Sequence, residues 1–169
     1  AFGLMGLATS CNDFGDVNND PMNLNPGVVD YKIEFTQVEA QICGSDWDVW
    51  RNGCIYTANM IQHTASVDWA YGVFYTWNDQ YSGAYWGGFY SGGRAAIRNI
   101  IDVMNNWEGN PAYANEYQMC RILKAYMFQN MTDLYGDVPY SEAGQGYSTN
   151  PIPYPKYDTQ EAIYNDLLK

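Results

Sequence analysis

The chain has 169 residues, enough to bury a real core, and its 47% hydrophobic and 17% aromatic content excludes a disordered polymer. Eight Lys+Arg against 19 Asp+Glu leave a formal net charge of −11. Such a surface repels phosphate backbones and argues against a nucleic-acid partner; rich in tyrosine and tryptophan, it suits neutral polar ligands, sugars above all.

The chain opens on "AFGLMGLATSC", where residues 1–8 are almost wholly apolar and small residues follow. This reads as the remnant of a secretory signal peptide over residues 1–10, too short to span a bilayer. Cys11 follows "LATS" as in a relaxed lipobox, so it is the expected lipid anchor; an ordinary cysteine in an apolar segment is the plainer alternative. Residues 11–27 then form a polar, Gly/Pro/Asn-rich, lipid-anchored tether. Within it Asp16, Asn18 and Asp20 alternate as in a calcium loop. Pro21 and Gly27, however, stand where such a loop needs Gly and Glu, so Asx-turns are expected instead.

From Val28 the pattern turns helical. Val28, Tyr31, Phe35, Val38 and Ile42 keep one face, and Gly44 ends it. Ser45 or Asp46 can cap a second helix carrying Trp47, Trp50, Cys54, Ile55, Ala58 and Ile61, with His63 near its last turn. Residues 67–90 hold ten aromatics in 24 positions without a period of 3.6 or 2. They read as a loop with short irregular pieces, leading into a third helix that starts near Gly83–Tyr85. That helix shows the stripe Ile97, Ile100, Ile101, Met104 opposite Arg98, Asn99 and Asp102, and "NNWEGNP" ends it.

Pro111 suits the first turn of a fourth helix. Its stripe Cys120, Leu123, Met127, Met131, Leu134 is widened by Met119, Ile122, Tyr126 and Phe128 until little polar face remains. Gly136 is the expected positive-φ residue beyond its end, and Pro139 stops any continuation. A last helix opens around Asp158 and Glu161, with Ile163 and Leu167 on its inner side, and is cut short at Lys169, as though the natural protein continues. Cys43, Cys54 and Cys120 fall inside apolar helical patterns and read as buried small hydrophobes. With a lone histidine and no C-x-x-C, a zinc site is not expected, and no other metal or cofactor is called for.

The stretch "EYQMCRILKAYMFQNMTDLYGDVPYSEA" resembles the helix and turn of SusD/RagB-type lipoproteins, with Leu134–Ala143 its most specific piece. "DVNNDPMNLNP" behind Cys11 resembles the opening of the same family, although Ala8 stands where a lipobox usually has Leu. The resemblance runs from about Leu7 to Lys169. It implies an all-α fold of tetratricopeptide-like helix pairs with long irregular aromatic-rich loops, residues 28–169 forming the N-terminal part of that domain. It also implies a surface-exposed, lipid-anchored outer-membrane protein that captures glycans and passes them to a SusC-like TonB-dependent transporter. Asp13 and Asp16 look similar to the acidic export signals of such lipoproteins. A peptide-binding lid of the same kind of importer, or a structural subunit of a larger outer-membrane complex, are the alternatives.

Sugar rings present C–H faces to aromatic rings and polar rims to amides and carboxylates. The expected ligand-binding residues are therefore Trp77, Asn78, Asp79 and Tyr81, in a loop that offers both. Tyr135, Asp137 and Tyr140 serve turn chemistry and capping on the simplest reading, with a transporter or ligand as the other possibility. No G-x-S-x-G, H-E-x-x-H, P-loop or coupled carboxylate pair is present, so no enzymatic activity is expected.

Overall fold

A computed structural model of the chain describes residues 30–43, 45–91, 94–146, 148 and 150–169. The signal-peptide remnant, the Cys11 anchor and the tether lie outside the described residues. Helix α1 is Tyr31–Ile42. Helix α2, residues 46–60, begins with one α-turn at Asp46–Asp48, widens to i→i+5 hydrogen bonding over Val49–Thr57, and closes on an α-turn at Ala58–Met60. After the loop come two short helices, α3 (Asp79–Ser82) and α4 (Ala84–Tyr90). The longer α5 (Ala96–Trp107) and α6 (Ala114–Tyr135) follow. Strands β1 (Val138–Pro139) and β2 (Tyr157–Asp158) pair antiparallel, Val138 opposite Asp158, before α7 (Gln160–Leu167).

Helix α5 is the centre of the packing, with α1 on one side and α6 on another. Its stripe behaves as its spacing demands: Ala96, Ile97, Ile100, Val103 and Trp107 are buried. Phe35, Val38 and Ile42 of α1 meet them, as do Cys120, Met127, Phe128 and Met131 of α6. Each Val, Ile, Phe or Met side chain among them contributes about 1.5–3 kcal/mol by leaving water. Burial also pushes the Cys120 thiol up to about 11, which leaves it an inert core atom.

The core contains one polar tie that an amphipathic reading misses. Asn99, expected on the outer face of α5, is buried. Its Nδ2 donates to Gln41 Oε1 at 3.2 Å, linking α5 to α1, and to the Arg94 carbonyl at 3.1 Å. Pairing two buried amides offsets their desolvation and avoids the penalty of an unsatisfied buried group.

Several expectations are corrected. Cys43 and Cys54 are exposed: Cys43 falls beyond the last residue of α1, and Cys54 lies on the outer side of the widened part of α2. Trp47 is exposed rather than buried in α2's stripe, because i→i+5 bonding enlarges the turns that follow it and breaks the 3.6-period stripe, and Ile61 is exposed beyond the end of α2. The third helix does not run unbroken from Gly83. It stops at Tyr90 and restarts after Ala95, which has φ 40°. On α6, Met119, Ile122, Tyr126 and Leu134 are exposed, so the helix is apolar nearly all round but not packed all round.

The end of α6 is built as its sequence indicates. Gly136 takes φ 76° and donates its N–H to the Thr132 carbonyl at 2.8 Å, while the Thr132 hydroxyl donates to the Gly136 carbonyl at 2.7 Å. The residues around the turn are then spent on tying elements together. Asp137 Oδ1 accepts the Gln160 N–H at 2.9 Å, in the first turn of α7. The Tyr140 hydroxyl donates to Asp166 Oδ2 at 2.7 Å. The Tyr135 hydroxyl donates to the Ser82 carbonyl at 2.7 Å and accepts the Trp86 N–H at 3.2 Å, bridging the end of α3 to the start of α4. All three take part in turn chemistry and capping, as the simplest reading of the sequence expects.

Candidate ligand-binding site

Helix α2 and the loop after it carry a cluster of rings. Ser45 starts α2 with a reciprocal cap: its N–H and hydroxyl both donate to Asp48 Oδ2 at 3.0 Å. Asp48 also takes the Arg94 guanidinium in an ion pair whose carboxylate side chain is only 6% exposed. Burial pushes the Asp48 carboxyl up, but the bonds from Arg94 and Ser45 outweigh it and hold the group below the usual carboxylate range. That anchor fixes the first turn of α2, and with it Trp47 and Trp50.

Trp50 is the hub of the cluster. Its ring meets Trp47 at 5.5 Å, Trp69 at 5.2 Å and Tyr81 at 5.9 Å between centroids, all edge to face. Tyr81 in turn packs on Tyr71 at 5.5 Å, and Tyr71 on Tyr56 at 6.5 Å. The loop reaches α2 through Gly72, whose N–H donates to the Ile55 carbonyl at 3.2 Å. A Cβ on Gly72 would stand 2.3 Å from that carbonyl oxygen, so no other residue allows this approach.

The wall is open to solvent. Trp47 is 63% exposed, Trp69 50% and Trp77 70%. Phe74 and Tyr75 of the same loop are exposed too. Trp69 and Tyr75 also hold positive φ, 51° and 52°, a conformation that costs a bulky residue about 1–2 kcal/mol. Large rings half or more in water, two of them on a strained backbone, return less to the fold than buried ones would, and such features concentrate at binding sites.

The four expected site residues divide between scaffold and surface. Trp77 projects outward, and its indole N–H donates to Asp79 Oδ1, so those two present a joined aromatic and acidic edge. Asn78 is structural: Oδ1 caps α3 through the Tyr81 N–H at 3.2 Å, and its carbonyl accepts from the hydroxyls of Ser82 and Tyr56. Tyr81 is half-buried within the wall. Trp47, Trp50 and Trp69 join the same surface without having been singled out in the sequence. The signal available for them was tryptophan density itself, three indoles within residues 47–69.

Arg51 completes the arrangement, its guanidinium carbon 5.7 Å from the Trp47 centroid and 5.7 Å from that of Tyr81. Among the described residues no cluster of three metal-ligating side chains occurs, and no helix is long and apolar enough to cross a membrane. A cavity of about 460 Å³ lies elsewhere, between α6 and α7 and lined by Arg121, Ile122, Lys124, Tyr140 and Asp166. Its rim carries no exposed tryptophan. The ring wall is therefore the better candidate for ligand contact, although it is a surface rather than a hole.

Comparison with known proteins agrees with this architecture. A SusD-like family model described as "Starch-binding associating with outer membrane" matches residues 30–169. A solved chitin-binding protein is similar at 33% identity and a TM-score of 0.66, over 79% of this chain and 28% of that one. A solved structure named Bacteroidetes AC2a SusD-like is similar at 29% identity and a TM-score of 0.64, over 82% of this chain. The chain spans 24% of that structure. No curated protein matches the chain. The all-α, helix-pair architecture expected from the sequence is thus found, and with the family model covering all of the described fold, the chain belongs to the SusD-like family.

Proposed function

We propose that this protein is a glycan-capturing surface lipoprotein that delivers oligosaccharides to a SusC-like TonB-dependent transporter of the outer membrane, and that it binds its cargo without chemical conversion. The observation that carries the reading is the joined rings of Trp47, Trp50, Trp69 and Tyr81, with Trp47 and Trp69 open to solvent, and the exposed Trp77 of the same loop. Indole and phenol faces match the C–H faces of sugar rings, and Asp79 beside Trp77 offers an acceptor to hydroxyls on the rim. The family description and the chitin-binding neighbour support glycans over peptides.

In this reading a diacylglyceryl group on Cys11 holds the protein at the outer membrane, since two acyl chains anchor a soluble domain where one does not. Residues 11–27 form the tether and residues 28–169 belong to the domain that covers the transporter. Substrate is trapped between domain and barrel and released inward.

Two measurements test the proposal. Immobilised glycan arrays identify the cargo, and solubilisation of native outer membranes followed by capture of this protein identifies the partner. The expected results are oligosaccharide binding and a TonB-dependent barrel recovered in equal amount. Recovery of other surface proteins without a barrel contradicts the delivery mechanism.

A further inference from the structure

Arg51 is the unexplained group in the ring wall. Of the four arginines, Arg94 pairs with Asp48, Arg98 bonds Asn99, and Arg121 bonds Gln118 at 3.0 Å. Arg51 makes no hydrogen bond and no ion pair among the described residues, and its Nε is buried without any partner. A guanidinium carries five donors in a planar fork, and a buried donor left unpaired costs about 1–3 kcal/mol. Trp47 and Tyr81 hold the cation from two sides but accept none of its protons.

Among the described side chains of the wall, two carboxylates are already engaged. Asp48 is committed to Ser45 and Arg94, and Asp79 accepts from the Trp77 indole. The α2 segment that presents Arg51 is also the widened one, Val49–Thr57, and i→i+5 turns of this kind recur at functional sites. A guanidinium with no protein acceptor, set against the exposed Trp47 ring and the half-buried Tyr81 ring, is complementary to a planar anion carried on a stacking body.

Resting on the glycan reading above, we infer that this wall selects acidic oligosaccharides, the Arg51 guanidinium receiving a uronate carboxylate while the flanking rings stack on the sugar. This departs from the neutral ligands that the −11 net charge suggests. The two are compatible, because charges farther than about 8 Å are screened at physiological ionic strength.

The test is calorimetric titration of the full chain with three ligands: a galacturonate trimer, its methyl ester, and a neutral chitin trimer. The acid is expected to bind about tenfold more tightly than its ester, the effect of one charge-assisted contact in a partly exposed site. Arg51→Met should bring the ratio of acid to ester close to one, and Arg51→Lys, which keeps the charge but not the fork, should leave it intermediate. The comparison of acid with ester stands on the unaltered protein if Arg51→Met fails to fold. Equal affinity for acid and ester, or binding of the neutral trimer alone, overturns the selection of acidic sugars and leaves glycan capture standing. Binding of none of the three, with no neutral oligosaccharide bound on an array, overturns both. A preference for the acid that persists in folded Arg51→Met also overturns the assignment to Arg51.

Discussion

Replacing Tyr135 by Phe removes one oxygen from the turn that closes α6, and the consequences can be followed atom by atom. The hydroxyl donates to the Ser82 carbonyl at 2.7 Å and accepts the Trp86 N–H at 3.2 Å. Trp86 lies in the first turn of α4, where a backbone N–H has no acceptor within its own helix. Tyr135→Phe leaves that donor and the Ser82 carbonyl without their partner, in a region where burial already pushes the Tyr135 hydroxyl pKa up. The expected loss is about 1–3 kcal/mol. For a unit the size of Tyr31–Lys169 this lowers the midpoint of thermal unfolding by about 3–10 °C. Circular dichroism melts of wild type, Tyr135→Phe and Tyr126→Phe measure it, the last being an exposed phenol that should change nothing. Because Ser82 ends α3, which carries Tyr81, near-ultraviolet dichroism of the ring wall should weaken in Tyr135→Phe as well. A midpoint within about 1 °C of wild type would refute the bridging role.

Other perturbations discriminate the remaining elements. Met127→Ala in the core should cost about 2–5 kcal/mol in denaturant titration, whereas Met119→Ala on the exposed side of the same helix should stay within about 0.5 kcal/mol. Gly72→Ala places a methyl against the Ile55 carbonyl, so it should both destabilise the fold and shift the fluorescence of Trp69, whose loop it displaces. Acid should destabilise the protein through Asp48: a carboxyl held below its unfolded value contributes stability above about pH 3.9 that is lost as pH falls through the folded value. Melting midpoints between pH 6 and 3 should therefore fall less steeply in Asp48→Asn, from a lower start.

The parts of this fold that could be read from sequence are those governed by local rules. The α5 stripe, Pro111 at the entry to α6 and Gly136 at its exit each follow from a 3.6-residue period or a φ restriction, and the structure carries all three. Asn99 was misplaced because an amide reads as polar until a partner, Gln41, is brought 58 positions along the chain to meet it. Trp47 was misplaced because nothing in a residue pattern announces that hydrogen bonding will widen to i→i+5 through Val49–Thr57. The site was half legible for the same reason. Trp77 and Asp79 announce themselves as a loop pair, while Trp50 and Trp69 become neighbours only when Gly72 seats the loop on α2.

The ring wall as the point of sugar contact is the centre of this account. Its most direct test is calorimetric titration with the oligosaccharide that binds best on an array, using wild type, Trp69→Ala, Trp77→Ala and, outside the wall, Tyr154→Ala. Loss of one stacking ring is expected to weaken binding by about tenfold for each tryptophan, and Tyr154→Ala should bind as wild type does. Undiminished binding in folded Trp69→Ala and Trp77→Ala would place the sugar elsewhere on the protein and contradict the account.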